Sequence, residues 1–205
     1  QGGITVSSDA RLSVLKLLFP TEKGDTVQFA VDLIRDFPEN ACRNCIPATV
    51  FLFHSQFIYG VAGTETQCFP FLDTRDEFHQ DEYAAWFGTM GLRIVVTEEI
   101  MQSGCGDKDT RYLGYISANS GQVKLYEVLD ACPNRERMAK LRTKEKFEQA
   151  LQLFYQYDFY LARSTFSELL RELPDDRIAK WYLFTCEKHL NEVHGETIDC
   201  GLHYD

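Results

Sequence analysis

The stretch ATVFLFHSQFIYGVAGTETQCFPFL, residues 48–72, decides the fold that the sequence predicts. It indicates two strands joined tightly around Ser55-Gln56, followed by a loop that contains glycine. Both alternating sets of side chains in the first strand are largely apolar. Such a strand lies in the middle of a sheet and is covered on both sides, or it is covered on one side and meets a partner with the other. We therefore predict a central hairpin over this stretch.

Strands and helices alternate on either side of the predicted hairpin, which favours the α+β class with a mixed or antiparallel sheet. Apolar residues recur at helical spacing before the stretch, and short apolar runs separated by turn residues follow it. Thr97 is placed to cap a helical turn. The predicted segments are a hairpin at 4–19 ending at Phe19-Pro20, a helix at 26–37, a helix at 77–90, a strand at 92–96 and a second hairpin over 112–129.

The character of the sequence changes after Pro133, where no strand pattern remains. Three helices are predicted, over residues 136–156, 159–172 and 176–192, with Asp175-Asp176 capping the third. From Glu196 we predict a flexible tail, and Cys200 within it is the thiol that we most expect to be exposed. The predicted organisation is therefore an α+β domain at 1–132, a helical unit at 133–195 and the tail at 196–205.

Composition excludes several classes of protein. The 205 residues are 44% hydrophobic, which is enough for a core, and carry a net charge of -10. That charge argues against a nucleic-acid partner, because phosphates require a basic face. No apolar run approaches the roughly 20 residues that span a bilayer, so we predict no membrane contact by this segment and a cytoplasmic location. The start at Gln1 indicates a piece of a longer protein, in which a membrane anchor or sensor region upstream stays an open alternative.

The seven cysteines favour reduced, structural thiols. Cys42 and Cys45 form the one tight pair, and no second pair with zinc-finger spacing accompanies it. Metal or redox chemistry is the less favoured alternative, and the role of Cys42 and Cys45 stays open.

Five fragments up to Cys132 together resemble a class III adenylate/guanylate cyclase homology domain. Each fragment is weak alone, and the order and spacing carry the resemblance. The matching fragments are Ser8-Asp9 through Phe19-Pro20, the hairpin from His54 to Gly63, Gly91 through Glu98, Arg111-Tyr112-Leu113-Gly114, and Val123 through Val128. The resemblance implies a ferredoxin-like, cyclase-type sheet with helices on one face, lacking the first strand and helices.

The resemblance implies two metal-binding Asp residues, of which Asp9 matches the second. The first would lie upstream, on a strand that this chain does not contain, and Thr5 stands where the family has an adenine-reading Lys. The helix that should supply an Asn and an Arg contains no Asn, and Arg75 comes too early. Without positive charge there, the phosphate charge of the transition state has no clamp. The resemblance thus leans towards a degenerate domain without confident catalytic residues, in which Mg²⁺ or Mn²⁺ is expected only if cyclase activity is retained.

The C-terminal helices resemble part of a tetratricopeptide array. Ala150, Ala162, Phe166 and Pro174 fall at the separations that this repeat uses for packing its helix pair. One and a half repeats are too few to be stable alone, so we expect them to dock on the sheet domain or on neighbouring repeats. A plain helical hairpin that covers the sheet and a peptide-binding groove remain equal alternatives.

The leading hypothesis is a non-catalytic, cyclase-like signalling domain that acts by forming a homodimer or binding a second protein. Class III domains pair head to tail, so the hairpin residues His54, Phe57 and Tyr59 are the predicted interface. The first alternative is an active cyclase that forms cyclic nucleotide from ATP or GTP, with nucleotide binding doubtful. The second is a tetratricopeptide-like scaffold for a peptide. For His54, a satisfied core or interface histidine is favoured over a catalyst.

Overall fold

The computed structural model describes residues 4–9, 14–18, 25–36, 48–54, 57–64, 67–74, 79–119, 121–191 and 200–202. No helix in this described part of the chain is long and apolar enough to cross a membrane. The strands are β1 Ile4–Asp9, β2 Val14–Leu18, β3 Val50–Leu52, β4 Phe57–Thr64, β5 Gln67–Thr74, β6 Ile94–Thr97, β7 Thr110–Ala118 and β8 Gly121–Val128. The helices are α1 Thr26–Asp36, α2 Gln80–Thr89, α3 Glu98–Gly104, α4 Asn134–Tyr155, α5 Phe159–Glu172 and α6 Arg177–Asn191, with a 3-10 turn at Leu129–Ala131.

The four-stranded sheet has the order β3-β6-β8-β7. β3 runs parallel to β6, whereas β6, β8 and β7 are antiparallel neighbours. The α+β class with a mixed sheet is therefore confirmed, as is the predicted hairpin that became β7 and β8. β6 reads Ile-Val-Val-Thr and is buried along its whole length. Side chains branched at Cβ pack well on a pleated surface, which suits this strand to the middle of the sheet.

The predicted pairing within residues 48–72 is wrong. β3 pairs with β6, and β4 pairs with β5 over its full length, so β3 and β4 belong to different sheets. The proposed turn at Ser55-Gln56 lies outside the described residues. The apolar faces of β3 explain its position: Val50 and Leu52 pack towards α1, and Phe51 packs 5.1 Å from the ring of Phe87 on the other side. β3 nevertheless ends the described strand order β3-β6-β8-β7, and its three residues are half-buried, so the predicted position in the middle of a sheet is wrong as well.

β1 and β2 form a separate antiparallel ribbon, as the sequence predicts. Asp9 ends β1 opposite Val14, and Thr5 lies opposite Leu17. The predicted end of this hairpin at Phe19-Pro20 lies outside the described residues.

Helices cover both faces of the four-stranded sheet, so the expectation of helices on one face is wrong. One hydrophobic cluster joins Ile94, Val96 and Val128 to α1. Val95 lies between Ile94 and Val96 along β6. A second cluster joins this residue to α2, α4, α5 and α6. Because successive side chains of a strand point to opposite faces, a run of apolar residues on β6 requires a cover on each side.

The three C-terminal helices begin and end within two residues of the predicted positions. The Asp158 side chain accepts a hydrogen bond from the Leu161 amide at 3.1 Å, and Asp176 accepts one from the Ala179 amide at 3.2 Å. Both are N-caps, which satisfy amides that a first helical turn leaves without partners. The helices dock on the sheet, as expected for a pair too small to be stable alone. One hydrophobic core thus runs across the predicted boundary at 132/133.

The helix-packing positions fall where α4, α5 and α6 meet, with one exception. Ala150, Ala162 and Phe166 are fully buried, and Phe166 stacks on Tyr182 at 5.3 Å between ring centroids. Pro174 lies exposed in the turn between α5 and α6. Small residues at the first two positions let the helix axes approach closely, which is what a tightly packed pair requires.

The described part of the tail packs against the sheet. Cys200 is only 3% exposed, Leu202 is fully buried, and the Leu202 amide donates to the Tyr115 carbonyl at 2.8 Å. The prediction of an exposed Cys200 is therefore wrong. A thiol behaves as a small apolar group, and burial among the residues of the main core suits it. Cys105, Cys132 and Cys186 are likewise buried.

Candidate functional site

Four charged side chains lie buried between the sheet and the C-terminal helices. Arg111 of β7 is fully buried and donates from Nη2 to Glu127 Oε2 of β8 at 2.8 Å and from Nη1 to Asp176 Oδ2 at 2.5 Å. Lys140 of α4 donates to the other oxygen of Glu127, Oε1, at 2.6 Å. We call Arg111, Glu127, Lys140 and Asp176 the ionic cluster.

The register of the sheet brings the first pair together. Arg111 and Glu127 are directly opposite each other in the β7–β8 hairpin. The ring of Phe147 on α4 lies 4.5 Å from the centre of the Arg111 guanidinium, a cation–π contact. Asp176 reaches Arg111 from the N-terminus of α6, where its other oxygen caps the helix. One guanidinium therefore joins β7, β8, α4 and α6.

The ionic cluster keeps its charges because each one has an opposite neighbour. Burial alone would raise the pKa of Asp176, but the Arg111 guanidinium outweighs it and holds that pKa below the ordinary 3.8. Burial also opposes the charge of Lys140, yet the Glu127 carboxylate raises the pKa of this lysine above its ordinary value. A buried ion pair is tolerated when its geometry and hydrogen bonds offset the loss of hydration.

Glu127, Cys132 and Glu136 lie close enough together to hold a metal ion. The Lys140 ammonium, however, lies 2.6 Å from both Glu127 Oε1 and Glu136 Oε1, and 4.0 Å from Cys132 Sγ. Burial, followed by the charge of Glu127, raises the pKa of the Cys132 thiol to about 12, whereas a metal ligand must be a thiolate. A lysine thus takes the position of the cation in this group, and the residues do not fit a metal ion.

The pKa of Asp176 gives the first expected result. Because the folded state lowers this pKa, the pair with Arg111 stabilises the fold above the unfolded value of 3.8, and that contribution is lost as the pH falls below it. In Asp176→Asn, the dependence of the free energy of unfolding on pH below 3.8 should be shallower by up to one proton. Urea unfolding at a series of pH values measures this slope.

The exposed neighbour provides the matched control. Asp175→Asn changes the same chemical group one residue earlier, where the side chain lies in water. This variant should keep the wild-type slope. Equal slopes for wild type and Asp176→Asn would contradict the assignment of the ion pair.

A cluster of tyrosine hydroxyls lies beside the ionic cluster, over Gly114 of β7. Tyr182 of α6 donates to the Leu113 carbonyl at 2.7 Å and lies 3.1 Å from the hydroxyl of Tyr155. Gly114 has a φ of 128°, at an irregular point of the β7–β8 register. A Cβ placed on Gly114 would lie 2.2 Å from the Tyr182 hydroxyl, so the tyrosines reach the strand only because this residue has no side chain.

The predicted interface residues lie directly after β3 and on β4. His54 follows β3, has a side chain 41% exposed, and lies 3.1 Å from Glu99 Oε2 at the start of α3. Phe57 and Tyr59 lie in β4, opposite Thr74 and Leu72 of β5. The structure therefore does not bury His54 in a core. It is a surface histidine paired with a carboxylate.

The residues of the ionic cluster were not selected as a site from the sequence, although a signal was present. Glu127 lies two residues after the buried Leu125, and Arg111 lies two residues before the buried Leu113. Charged residues of opposite sign in the buried phase of two hairpin strands indicate a buried ion pair, because neither charge tolerates an apolar face alone. Lys140 and Asp176 could not be assigned to it without the packing of the helices.

The arrangement is suited to fixing structure rather than to catalysis. Arg111 and Lys140 are occupied by buried carboxylates, and the nearest thiol is protonated at neutral pH. The ionic cluster therefore holds the helices on the sheet. Searches against models of protein families, curated proteins and solved structures find no match to this chain.

Proposed function

We propose that this chain is a non-catalytic, cyclase-like signalling domain that acts by pairing with a second copy or another protein. The observation that carries the proposal is the character of α2, which follows the β4–β5 ribbon where the cyclase resemblance requires an Asn and an Arg. Gln80–Thr89 contains neither residue. Its Tyr83, Trp86 and Phe87 are buried in the main core, and Glu82 is exposed.

That character argues against phosphoryl chemistry at this helix. A triphosphate needs positive charge or bound metal ions where its charge develops. The exposed Glu82 of α2 is negative, and the two buried cations of the described residues, Arg111 and Lys140, belong to the ionic cluster. The proposed fold is accordingly a cyclase-type sheet that has lost its phosphate clamp, with tetratricopeptide-like helices fixed against it. The four cysteines in the described residues form no disulfide, which fits a reducing, cytoplasmic location.

Pairing is supported by the β4–β5 ribbon. In the described residues these strands pair with each other and with no further strand. A two-stranded ribbon is marginally stable alone, and this one is rich in Phe, Ile, Val and Leu. A partner that covers the ribbon would supply the burial that such a sequence favours.

The docking of the helices disfavours the scaffold alternative. α4 and α6 direct Phe147 and Tyr182 towards the sheet, where they contact Arg111 and the Leu113 carbonyl. The face of the helical hairpin that meets the sheet is therefore filled. This favours the covering role of the helices over a peptide groove on that face.

Sedimentation of the chain over a range of concentrations tests the proposal. We expect a dimer for the wild type and a monomer for Phe57→Asp and Tyr59→Asp, because a carboxylate in an apolar interface is costly. Phe184→Asp is the matched control, since Phe184 is 64% exposed on α6 and lies outside the predicted interface. That variant should remain a dimer, and incubation with ATP or GTP and Mn²⁺ should give no cyclic nucleotide.

Three results would overturn this proposal. A wild-type monomer that binds no partner would remove the pairing. Dissociation caused by Phe184→Asp but not by Phe57→Asp would place the interface on the helices. Cyclic nucleotide formed by the chain would make it an enzyme.

A further inference from the structure

The last described residues lie against the free edge of the sheet. Among the described strands, the order β3-β6-β8-β7 leaves one side of β7 without a neighbouring strand. The Leu202 amide donates to the Tyr115 carbonyl on that strand at 2.8 Å, and the Tyr83 hydroxyl of α2 donates to the Leu202 carbonyl at 3.0 Å. Both backbone groups of Leu202 are thus bound, as in peptides that add to a sheet edge.

The side chain of Leu202 fills a site formed by four elements. Its Cδ1 lies 3.5 Å from the position that a Cβ on Gly114 would take, beside the hydroxyls of Tyr155 and Tyr182. Cys200 is buried in the same core, and Gly201 between them is buried as well. α2, β7, α4 and α6 therefore form one receptor for three residues, whose recognised features are a small side chain, a glycine and a leucine.

The segment is joined to its receptor only through residues 192–199, which separate the end of α6 from Cys200. Eight residues reach up to about 27 Å when extended. All described contacts of the segment are non-covalent, and they use its own backbone and side chains. A separate peptide of the same sequence would satisfy the same contacts.

We propose that the edge of β7 carries a peptide-binding site whose occupant is the chain's own segment Cys200–Leu202, a displaceable strap. Recognition combines backbone hydrogen bonds to Tyr115 and Tyr83 with burial of one leucine over Gly114. The site accepts this segment as a ligand, whether or not it is covalently attached. The proposal does not depend on the pairing described above, because β4 and β5 make none of these contacts.

The test uses the full chain with the substitution Leu202→Asp, which places a carboxylate in the apolar site and displaces the strap. A fluorescein-labelled peptide of residues 199–205 is titrated with this variant under reducing conditions, and its anisotropy is measured. We expect saturable binding. A peptide carrying Leu202→Ala should bind about 30-fold more weakly, because it loses most of the buried leucine. The wild-type chain should bind the labelled peptide at least about 10-fold more weakly than the variant, since its own strap competes at high effective concentration.

Circular dichroism of the variant, with and without saturating peptide, makes every outcome decisive. A folded variant that does not bind the peptide would overturn the proposal. Binding that is unaffected by Leu202→Ala in the peptide would overturn it as well. If the variant is unfolded and the peptide does not restore the fold, residues 200–202 are an inseparable part of the core and not a ligand. Restoration of the fold by the peptide would support the proposal.

Discussion

Replacing Arg111 by Met is expected to lower the free energy of unfolding by about 3–5 kcal/mol, the usual cost of breaking a buried ion pair from one side. This loss of stability arises mainly from the two carboxylates that remain, since Glu127 and Asp176 stay buried after their shared cation is removed. Met keeps much of the apolar stem of Arg, which limits the cavity. Urea unfolding followed by circular dichroism gives the difference directly.

Two further variants separate the ion pair from simple loss of a large side chain. In Arg111→Met with Asp176→Asn, part of the loss should be recovered, because a buried Asp176 carboxylate without its direct cation is gone and Asn remains a good N-cap for α6. Lys124→Met removes an exposed pair with Glu98 at 3.0 Å and should leave the unfolding midpoint unchanged. An equal effect of Lys124→Met and Arg111→Met would contradict the importance of burial.

Replacing Gly114 by Ala is expected to destabilise the fold by about 2–4 kcal/mol, through crowding and backbone strain together. The new Cβ would lie 2.2 Å from the Tyr182 hydroxyl and 2.5 Å from the Tyr155 hydroxyl, so both rings would have to move. Movement of Tyr182 would also break its hydrogen bond to the Leu113 carbonyl. Thermal and urea unfolding measure the change.

Gly121 offers a matched control that measures the contribution of backbone strain alone. Its φ of 125° is close to the 128° of Gly114, but a Cβ at Gly121 has no heavy atom of the described residues within 4 Å. Gly121→Ala should therefore cost only the strain, about 1–2 kcal/mol. Equal losses at the two glycines would show that crowding by the tyrosines contributes nothing.

Local signals predicted the C-terminal half of this fold well. The N-caps Asp158 and Asp176 and the apolar spacing between them fix α5 and α6 within their own sequence. The β7–β8 hairpin is likewise local, since its strands are joined by a short turn. Such short-range contacts join residues that are close in the sequence, so a local sequence pattern is enough to predict them.

Contacts between elements that are distant in the sequence could not be predicted in the same way. The apolar run of β3 indicated contacts on both of its faces, but it could not indicate that the strand lies at the end of the sheet or that it pairs with β6 and not with β4. The burial of Cys200 depends on where the chain returns after residues 192–199, and no periodicity contains that information. In the ionic cluster, Arg111 and Glu127 carried a readable signal, whereas Lys140 joins them only because α4 crosses the sheet at that point.

The parallel pairing of β3 with β6 has a consequence for the order in which the fold forms. β3 can meet β6 only after the chain has closed a loop over residues 53–93, which costs entropy before any contact compensates for it. The β7–β8 hairpin and the α4–α5–α6 series close much shorter loops. Since rates of folding decrease as contacts become more distant in sequence, we expect β3 to join last. Hydrogen exchange pulsed during refolding should therefore protect amides of α5 before those of β3.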